Sequence, residues 1–104
     1  MEGEKIYLKN FIQKHTLNTF RIGCEPTNYK ILLSSPTTVK KIIKKFELTK
    51  MPANRRINQL KQAGLVKRKL RTGEIEPTRL AKRFIKVINT INSQVEEELP
   101  KYLK

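Results

Sequence analysis

The sequence is poor in the residues that build covalent and metal-bound sites. Its 104 residues include one cysteine, Cys24, and one histidine, His15. A single cysteine excludes an intramolecular disulfide and a Cys-rich zinc site, so we expect Cys24 to be a half-buried, small apolar side chain. His15 has no cysteine or carboxylate cluster beside it in the sequence, and we interpret it as an ordinary side chain rather than a ligand or base.

Acidic residues and long apolar runs are also scarce. The 9 carboxylates form no acid/base pair, and we find no nucleophile with its base, no Gly-rich phosphate loop and no metal-ligand spacing. We therefore expect no enzymatic activity, no cofactor and no metal. No stretch approaches the ~20 apolar residues of a membrane span, and charges interrupt the N-terminal stretch where a signal peptide would be apolar. These absences predict a cytoplasmic protein with no membrane-spanning segment.

Basic residues, by contrast, are abundant and concentrated. Lys and Arg number 23, which gives a net charge of +14. Between Lys40 and Arg71 there are twelve basic residues and one acidic residue, a local charge of +11. Such an excess predicts attraction to a polyanion, with nucleic acid and an anionic membrane as candidates, and an affinity that falls steeply with salt.

The length and the hydrophobic pattern predict one mainly α domain, residues 1–104, with a small β-hairpin, which is an α+β fold. In the N-terminal segment, residues 1–26, "EKIYLKNFIQKH" suits one helical face, whereas "TLNTFRI" is also compatible with an extended chain. A short helix should follow, with Thr27 as its N-cap and its end near Ser34.

Two further helices and the hairpin should follow. "TVKKIIKKFEL" has Thr38 as N-cap and an apolar stripe. "KMPANRRINQLKQAG" ends at Gly64, where a glycine is favoured after a helix. "LVKRKLRTGEIEPT" reads as two strands around a Thr72-Gly73 turn, with Pro77 confining the return strand to an edge or an end.

The last helix, residues 78–99, should begin at Thr78 and carries more apolar surface than one small core needs. Its stripe either closes the core of the monomer or forms a homodimer seam; we favour the seam because the stripe extends beyond the reach of a ~100-residue core. The N-terminal segment should pack at the same interface. The predicted interface residues are Phe84, Ile88, Ile91, Val95 and Leu99.

This order of elements is that of a winged helix-turn-helix with a long C-terminal helix. "TVKKIIKKFELTKMPANRRINQLKQAGLVKR" resembles the helix-turn-helix of ArsR-like and related bacterial and archaeal winged-helix transcription regulators, and "TGEIEPTRLAKRF" resembles their wing and last helix. The resemblance assigns residues 27–77 to the helix-turn-helix and wing. The metal-sensing motif of some members is absent, since positions 46–52 read "FELTKMP". Where the family's turn often has glycine, this chain has Glu47, from which we expect a less sharply bent turn.

The resemblance implies that the second helix of the motif enters the major groove of DNA. Each of three sets of side chains then has an expected role. Base contacts are expected from Lys50, Met51, Asn54, Arg55 and Asn58, phosphate contacts from Thr38, Lys40, Lys41, Lys44, Thr49 and Lys61, and wing contacts from Lys69, Arg71 and Thr72. Arg56 lies between the inward and outward faces, and we assign it no role.

The sequence thus predicts a homodimeric transcription regulator that binds double-stranded DNA with sequence preference and is associated with the nucleoid. Two alternatives stay open. One is an architectural DNA-binding protein with little sequence specificity, which the abundance of lysine allows. The other is a module that docks onto a protein or a membrane.

Overall fold

The structure is a computed structural model that describes residues 2–103. The chain is mainly helical with one small antiparallel sheet, as expected for the α+β class. Met1 of the predicted N-terminal segment and Lys104 lie outside the described residues. The elements in chain order are α1 (Glu2–Gly23), α2 (Pro26–Ser34), β1 (Thr37–Thr38), α3 (Val39–Lys45), α4 (Lys50–Gln62), β2 (Val66–Arg68), β3 (Glu74–Pro77) and α5 (Arg79–Tyr102).

The sheet has three strands in the order β1-β3-β2. The predicted hairpin is confirmed: β2 pairs with β3 in a register that sets Val66 opposite Pro77. The two-residue strand β1, which the sequence analysis did not anticipate, pairs Thr37 with Ile75 on the other side of β3. Pro77 is the last residue of β3, so its missing N–H removes no bond from the middle of the ladder, although β3 is the central strand.

Threonine caps begin two helices as predicted. Thr38 accepts a hydrogen bond from the Lys41 N–H at 3.3 Å, and Thr78 accepts one from the Ala81 N–H at 3.1 Å. The predicted start of α2 is wrong, because Glu25 rather than Thr27 is its cap: the carboxylate accepts from the Asn28 N–H at 2.8 Å. Pro26 then occupies the first helical position, where a missing N–H costs nothing.

The N-terminal segment is helical as far as Gly23, so the extended alternative for "TLNTFRI" is wrong. Its last turn packs against α5, because Gly23 leaves room for the ring of Phe84. A Cβ at position 23 would lie 2.7 Å from that ring. Phe20 also meets Phe84 edge-to-face, with ring centroids 5.2 Å apart.

The core lies where α4 crosses the other elements. Ile57 and Leu60 of α4, Ile31 of α2 and Ile75 of β3 are fully buried in one cluster. Ile57 and Leu60 therefore define the inward face of α4. Phe84, which we had placed in the dimer seam, belongs to this cluster and is only 4% exposed.

Three residues in turns have a left-handed backbone, and one of them is Gly73 in the β2–β3 turn, with φ +69°. Gly64 has φ +81° and ends α4 as predicted. Glu47, between α3 and α4, has φ +52°, so the expectation of a less sharply bent turn is wrong. An L residue pays roughly 1–2 kcal/mol for this conformation, which means that the packing of α3 against α4 holds the turn in shape.

Two stretches of helix extend away from the core. Every residue of 2–17 in α1 and of 89–103 at the end of α5 is exposed. We call these two stretches the arms, and residues 18–88 the head. Both arms carry large exposed apolar side chains. These are Ile6, Tyr7, Leu8, Phe11, Ile12 and Leu17 in the first arm, and Ile91, Val95, Leu99, Tyr102 and Leu103 in the second.

Candidate nucleic-acid interface

The outer face of α4 is exposed to solvent. Thr49, at the N-cap, makes no side-chain capping bond, so its hydroxyl stays available to a ligand. Lys50, Met51, Arg55 and Asn58 are exposed, and Met51 is 83% accessible to solvent. Burial of the opposite face against the core fixes this orientation, because a helix that anchors one stripe must present the other.

A concave surface of about 420 Å³ lies beside this face, between the starts of α3 and α4 and the β2–β3 turn. It brings together members of all three predicted sets. Its lining residues are Thr38, Val39, Lys40, Lys50, Asn54, Arg68, Arg71, Thr72 and Gly73. Four of these are cationic and none is acidic. Cations on a concave wall of low dielectric reinforce one another, so this cleft should concentrate positive potential.

The remaining predicted phosphate contacts lie elsewhere. Lys41 and Lys44 line a separate depression with Pro36 at the back of α3. Lys61 is in the last turn of α4, where a cation interacts favourably with the helix dipole. These three lysines add to the positive surface but are not part of the cleft.

The tip of the hairpin contains one paired and one free cation. The Lys69 ammonium lies 3.6 Å from carboxylate oxygens of both Glu74 and Glu76, which reduces its effective charge. Arg71 is exposed and forms no ion pair within residues 2–103. The Thr72 hydroxyl accepts a hydrogen bond from the Glu74 N–H at 3.3 Å. Arg71 is thus the stronger candidate for an anion contact at the tip.

Arg68 of β2 is a member of the cleft that the sequence analysis missed. Its Nη1 donates to Asn58 Oδ1 at 3.1 Å, and its Nη2 donates to Asn54 Oδ1. Asn54 also donates from Nδ2 to the Lys50 carbonyl at 2.7 Å. Both polar atoms of the Asn54 amide are therefore engaged, and a bidentate contact with adenine would require them to be released.

Strand alternation was the signal for Arg68. Successive side chains of a strand point to opposite faces, and the buried Val66 at the start of β2 belongs to the core cluster that contains Ile57 and Leu60 of α4. Arg68, two residues later, must face α4 as well. The exposed Lys67 between them faces away.

Arg56, to which the sequence analysis assigned no role, contacts other side chains of the protein rather than solvent alone. Its Nη1 lies 2.6 Å from Glu25 Oε2 and 3.2 Å from Asn28 Oδ1. Partial burial of the Glu25 carboxyl raises its pKa, but hydrogen bonds from the Asn28 and Thr27 N–H groups and the charge of Arg56 outweigh this, so the pKa lies below its ordinary value of 4.5. The pair ties α4 to the start of α2.

Cys24 and His15 are side chains of types that can act as a nucleophile, a base or a metal ligand. Cys24 is exposed, so the half-buried side chain that we expected is wrong. His15 lies at an apolar groove between α1 and α5, with Phe20, Leu80 and Val87 in its walls.

Within residues 2–103, no three His, Cys, Asp or Glu side chains are placed to hold a metal ion. Over the same range, no helix has the length and hydropathy needed to cross a membrane.

Comparison of the chain with models of known protein families, with curated proteins and with solved structures gave no match.

Proposed function

We propose that the chain is a winged helix-turn-helix protein that binds double-stranded DNA with sequence preference and regulates transcription. The observation that carries this proposal is the cationic cleft beside the exposed face of α4. In support, α3 and α4 are joined by a sharp turn at Glu47, and the β2–β3 hairpin follows α4 directly. This is the order and placement of elements by which such proteins insert one helix into the major groove.

The dimensions suit this docking. α4 has 13 residues and is therefore about 20 Å long, with a diameter of about 10–12 Å including side chains. The major groove of B-DNA is about 12 Å wide. With the exposed face of α4 in the groove, the hairpin tip lies to one side, where Arg71 would meet the backbone or the minor groove.

The side chains divide into those suited to contact bases and those suited to contact phosphates. Arg55 has the planar fork that guanine O6 and N7 accept, and Met51 offers an apolar contact to a thymine methyl. Lys40, Lys50 and Arg71 line the cleft and suit phosphates, which position the protein without reading sequence.

The arms support a homodimer. Ile91, Val95 and Leu99 continue the apolar stripe of α5 but are 44%, 46% and 47% exposed. The exposed end of α5, residues 89–102, has a length at which an isolated helix is marginal in water, so a second copy that covers the stripe would stabilise it. A two-fold dimer places two α4 helices about one DNA turn apart, ~34 Å, and reads an inverted repeat.

Charge favours an antiparallel pairing of the two α5 helices. A parallel pairing would set Glu96, Glu97 and Glu98 against the same residues of the second copy, and like charges at close range repel. An antiparallel pairing centred on Ile91 sets Glu96 opposite Lys86 instead, and Val95 opposite Val87.

Competition binding tests the proposal and separates it from the architectural alternative. A duplex selected from genomic fragments, including the region upstream of the protein's own gene, should outcompete random duplex by ~10³-fold or more. A ratio near one would favour the architectural role. Failure to bind any duplex in a salt-sensitive manner would refute both DNA-binding roles. If the protein then stays bound to a component of a cell extract after DNase treatment and in moderate salt, a docking module would be favoured.

Arg55→Ala sharpens the test. It should lose ~1–3 kcal/mol on the preferred duplex and less on random DNA. Lys61→Ala is the matched control, because it removes one exposed charge from the last turn of the same helix. An equal loss on both DNAs would make Arg55 a phosphate contact.

A further inference from the structure

Arg68 and the two asparagines of α4 form a hydrogen-bonded cluster in the wall of the cleft. We propose that Arg68 is a positioning residue for base selection: it binds the side-chain oxygens of Asn54 and Asn58, so that the Asn58 amide presents its N–H donors rather than its C=O acceptor to the DNA. This inference rests on the proposed function and deepens it.

The geometry is specific to an arginine. Asn54 and Asn58 are four residues apart and therefore lie on one face of α4, one turn from each other. Two different nitrogens of the guanidinium reach the two amide oxygens, one each. A lysine has a single nitrogen on a flexible stem and lacks the rigid fork that holds two acceptors at once.

Arg68 reaches α4 from strand β2. Its Nε is buried and has no hydrogen-bond partner within the described chain. An unpaired buried donor is unfavourable, and the two hydrogen bonds from Arg68 to Asn58 and Asn54 offset that cost. The cluster thus links the hairpin to α4 before any DNA is bound.

The orientation of the amides determines which base they suit. Asn54 Nδ2 is already bonded to the Lys50 carbonyl, and the oxygens of both amides face Arg68. The exposed Asn58 keeps its Nδ2 free of hydrogen bonds within residues 2–103. A free asparagine pairs with adenine by donating to N7 and accepting from N6, whereas guanine offers two acceptors, N7 and O6. The clustered Asn58 should therefore favour guanine over adenine at the base pair it meets.

The opposing role for Arg68 is a direct phosphate contact. In that case the side chain leaves the asparagines on DNA binding, and its loss weakens binding to every duplex equally. The two roles differ in which substitutions change specificity and which change only the salt dependence.

The experiment is binding-site selection from a randomised duplex pool, followed by competition assays, with wild type, Arg68→Lys, Asn58→Ala and the double variant. Arg68→Lys keeps the charge, so the salt slope and the affinity for random DNA should hold. The ratio of preferred to random affinity should fall by about tenfold, with guanine preference lost at one base pair. Asn58→Ala should lose the same preference, and the double variant should lose no more than either single change.

Lys67→Ala is the matched control, because it removes a neighbouring charge that faces away from α4. It should weaken preferred and random DNA alike and leave their ratio unchanged. A readout without DNA is the NMR signal of the two asparagine side-chain amides, which should shift in Arg68→Lys and stay in place in Lys67→Ala.

Several outcomes would overturn the inference while leaving the proposed function intact. These are an unchanged base preference in Arg68→Lys, additive losses in the double variant, or an adenine preference at the base pair affected by Asn58→Ala. If Arg68→Lys does not fold, Asn58→Ala decides the matter, since its side chain is exposed. A wild-type protein that binds no duplex, or shows no preference among duplexes, would refute the proposed function itself.

Discussion

The head and the arms use the same kind of residues at the same helical spacing, with opposite results. In α4, Ile57 and Leu60 are fully buried. In the arm of α5, Ile91 and Val95 follow an equally regular stripe and stay nearly half exposed. Periodicity therefore indicates which side of a helix is apolar, but the partner that covers it depends on the rest of the chain or on a second chain.

Charge divides the two regions even more sharply. The head has 18 basic and 4 acidic residues, a charge of +14, whereas the arms have 4 basic and 5 acidic residues, a charge of −1. Strong self-repulsion opposes the association of like-charged surfaces. The separation therefore places the surface suited to a polyanion in the head, and leaves the arms nearly neutral and able to meet a second copy.

The largest expected effect is on the stability of the head. Ile57→Ala removes a fully buried side chain from the core cluster, and should lower the free energy of unfolding by ~2–5 kcal/mol. Urea denaturation followed by circular dichroism measures it. Met51→Ala, on the outer face of the same helix, should change stability by less than ~0.5 kcal/mol. Equal effects would mean that α4 does not bury the face described above.

The next effect concerns association through the arms. Ile91→Asp places a carboxylate in the proposed seam, where an unpaired buried charge costs several kcal/mol. The mass in solution, measured by sedimentation equilibrium, should fall from dimer to monomer. Asn89→Asp adds the same charge beside the stripe and should stay dimeric. A dimer mass in Ile91→Asp would exclude this seam, and a monomeric wild type would exclude the dimer.

A smaller effect compares lysines of the two regions. Lys50→Ala removes a cation of the cleft and should lower the slope of log affinity against log salt by ~0.9 for DNA. Lys9→Ala removes an exposed cation from the arm of α1 and should leave that slope unchanged. Electrophoretic or fluorescence titrations at several salt concentrations give both values. Equal changes would indicate that DNA contacts are not confined to the head.

The smallest effect concerns the Glu25–Arg56 pair within the head. Since the pKa of Glu25 is lower in the folded chain than its ordinary value of 4.5, its contribution to stability is present at neutral pH and is lost as the pH falls below that value. Glu25→Gln should make the unfolding free energy less dependent on pH in this acidic range. The same pH profile in wild type and Glu25→Gln would leave the pair without a role in stability.

Local signals in the sequence predicted most of the helices. Thr38 and Thr78 cap α3 and α5 as expected, and Gly64 ends α4, because capping depends on side chains within three or four residues of the helix end. The cap of α2 was misjudged, although Pro26 pointed to Glu25, since proline favours the first helical position. The turn at Glu47 was misjudged because tertiary packing overrides the cost of its backbone conformation.

Contacts between distant residues were beyond the reach of these signals. The strand β1 exists because Thr37 meets Ile75, far along the chain, and two residues show no periodicity of their own. The Arg68 cluster likewise depends on how β2 lies against α4. From the sequence alone, alternation along β2 places Arg68 on the same side of the strand as Val66, but Arg68 is otherwise one of twelve basic residues between Lys40 and Arg71, and its partners Asn54 and Asn58 cannot be identified from its neighbours.

The exposed thiol of Cys24 lies where α1 meets α2, at the boundary between an arm-bearing helix and the core. Because the chain has no other cysteine, a maleimide spin label attaches at this one position without any substitution. In a dimer, dipolar spectroscopy would then measure the distance between the labels on the two copies of Cys24, and hence the separation of the two heads. That distance would show whether the pair is already spaced for successive turns of a duplex, or has to change its geometry on binding.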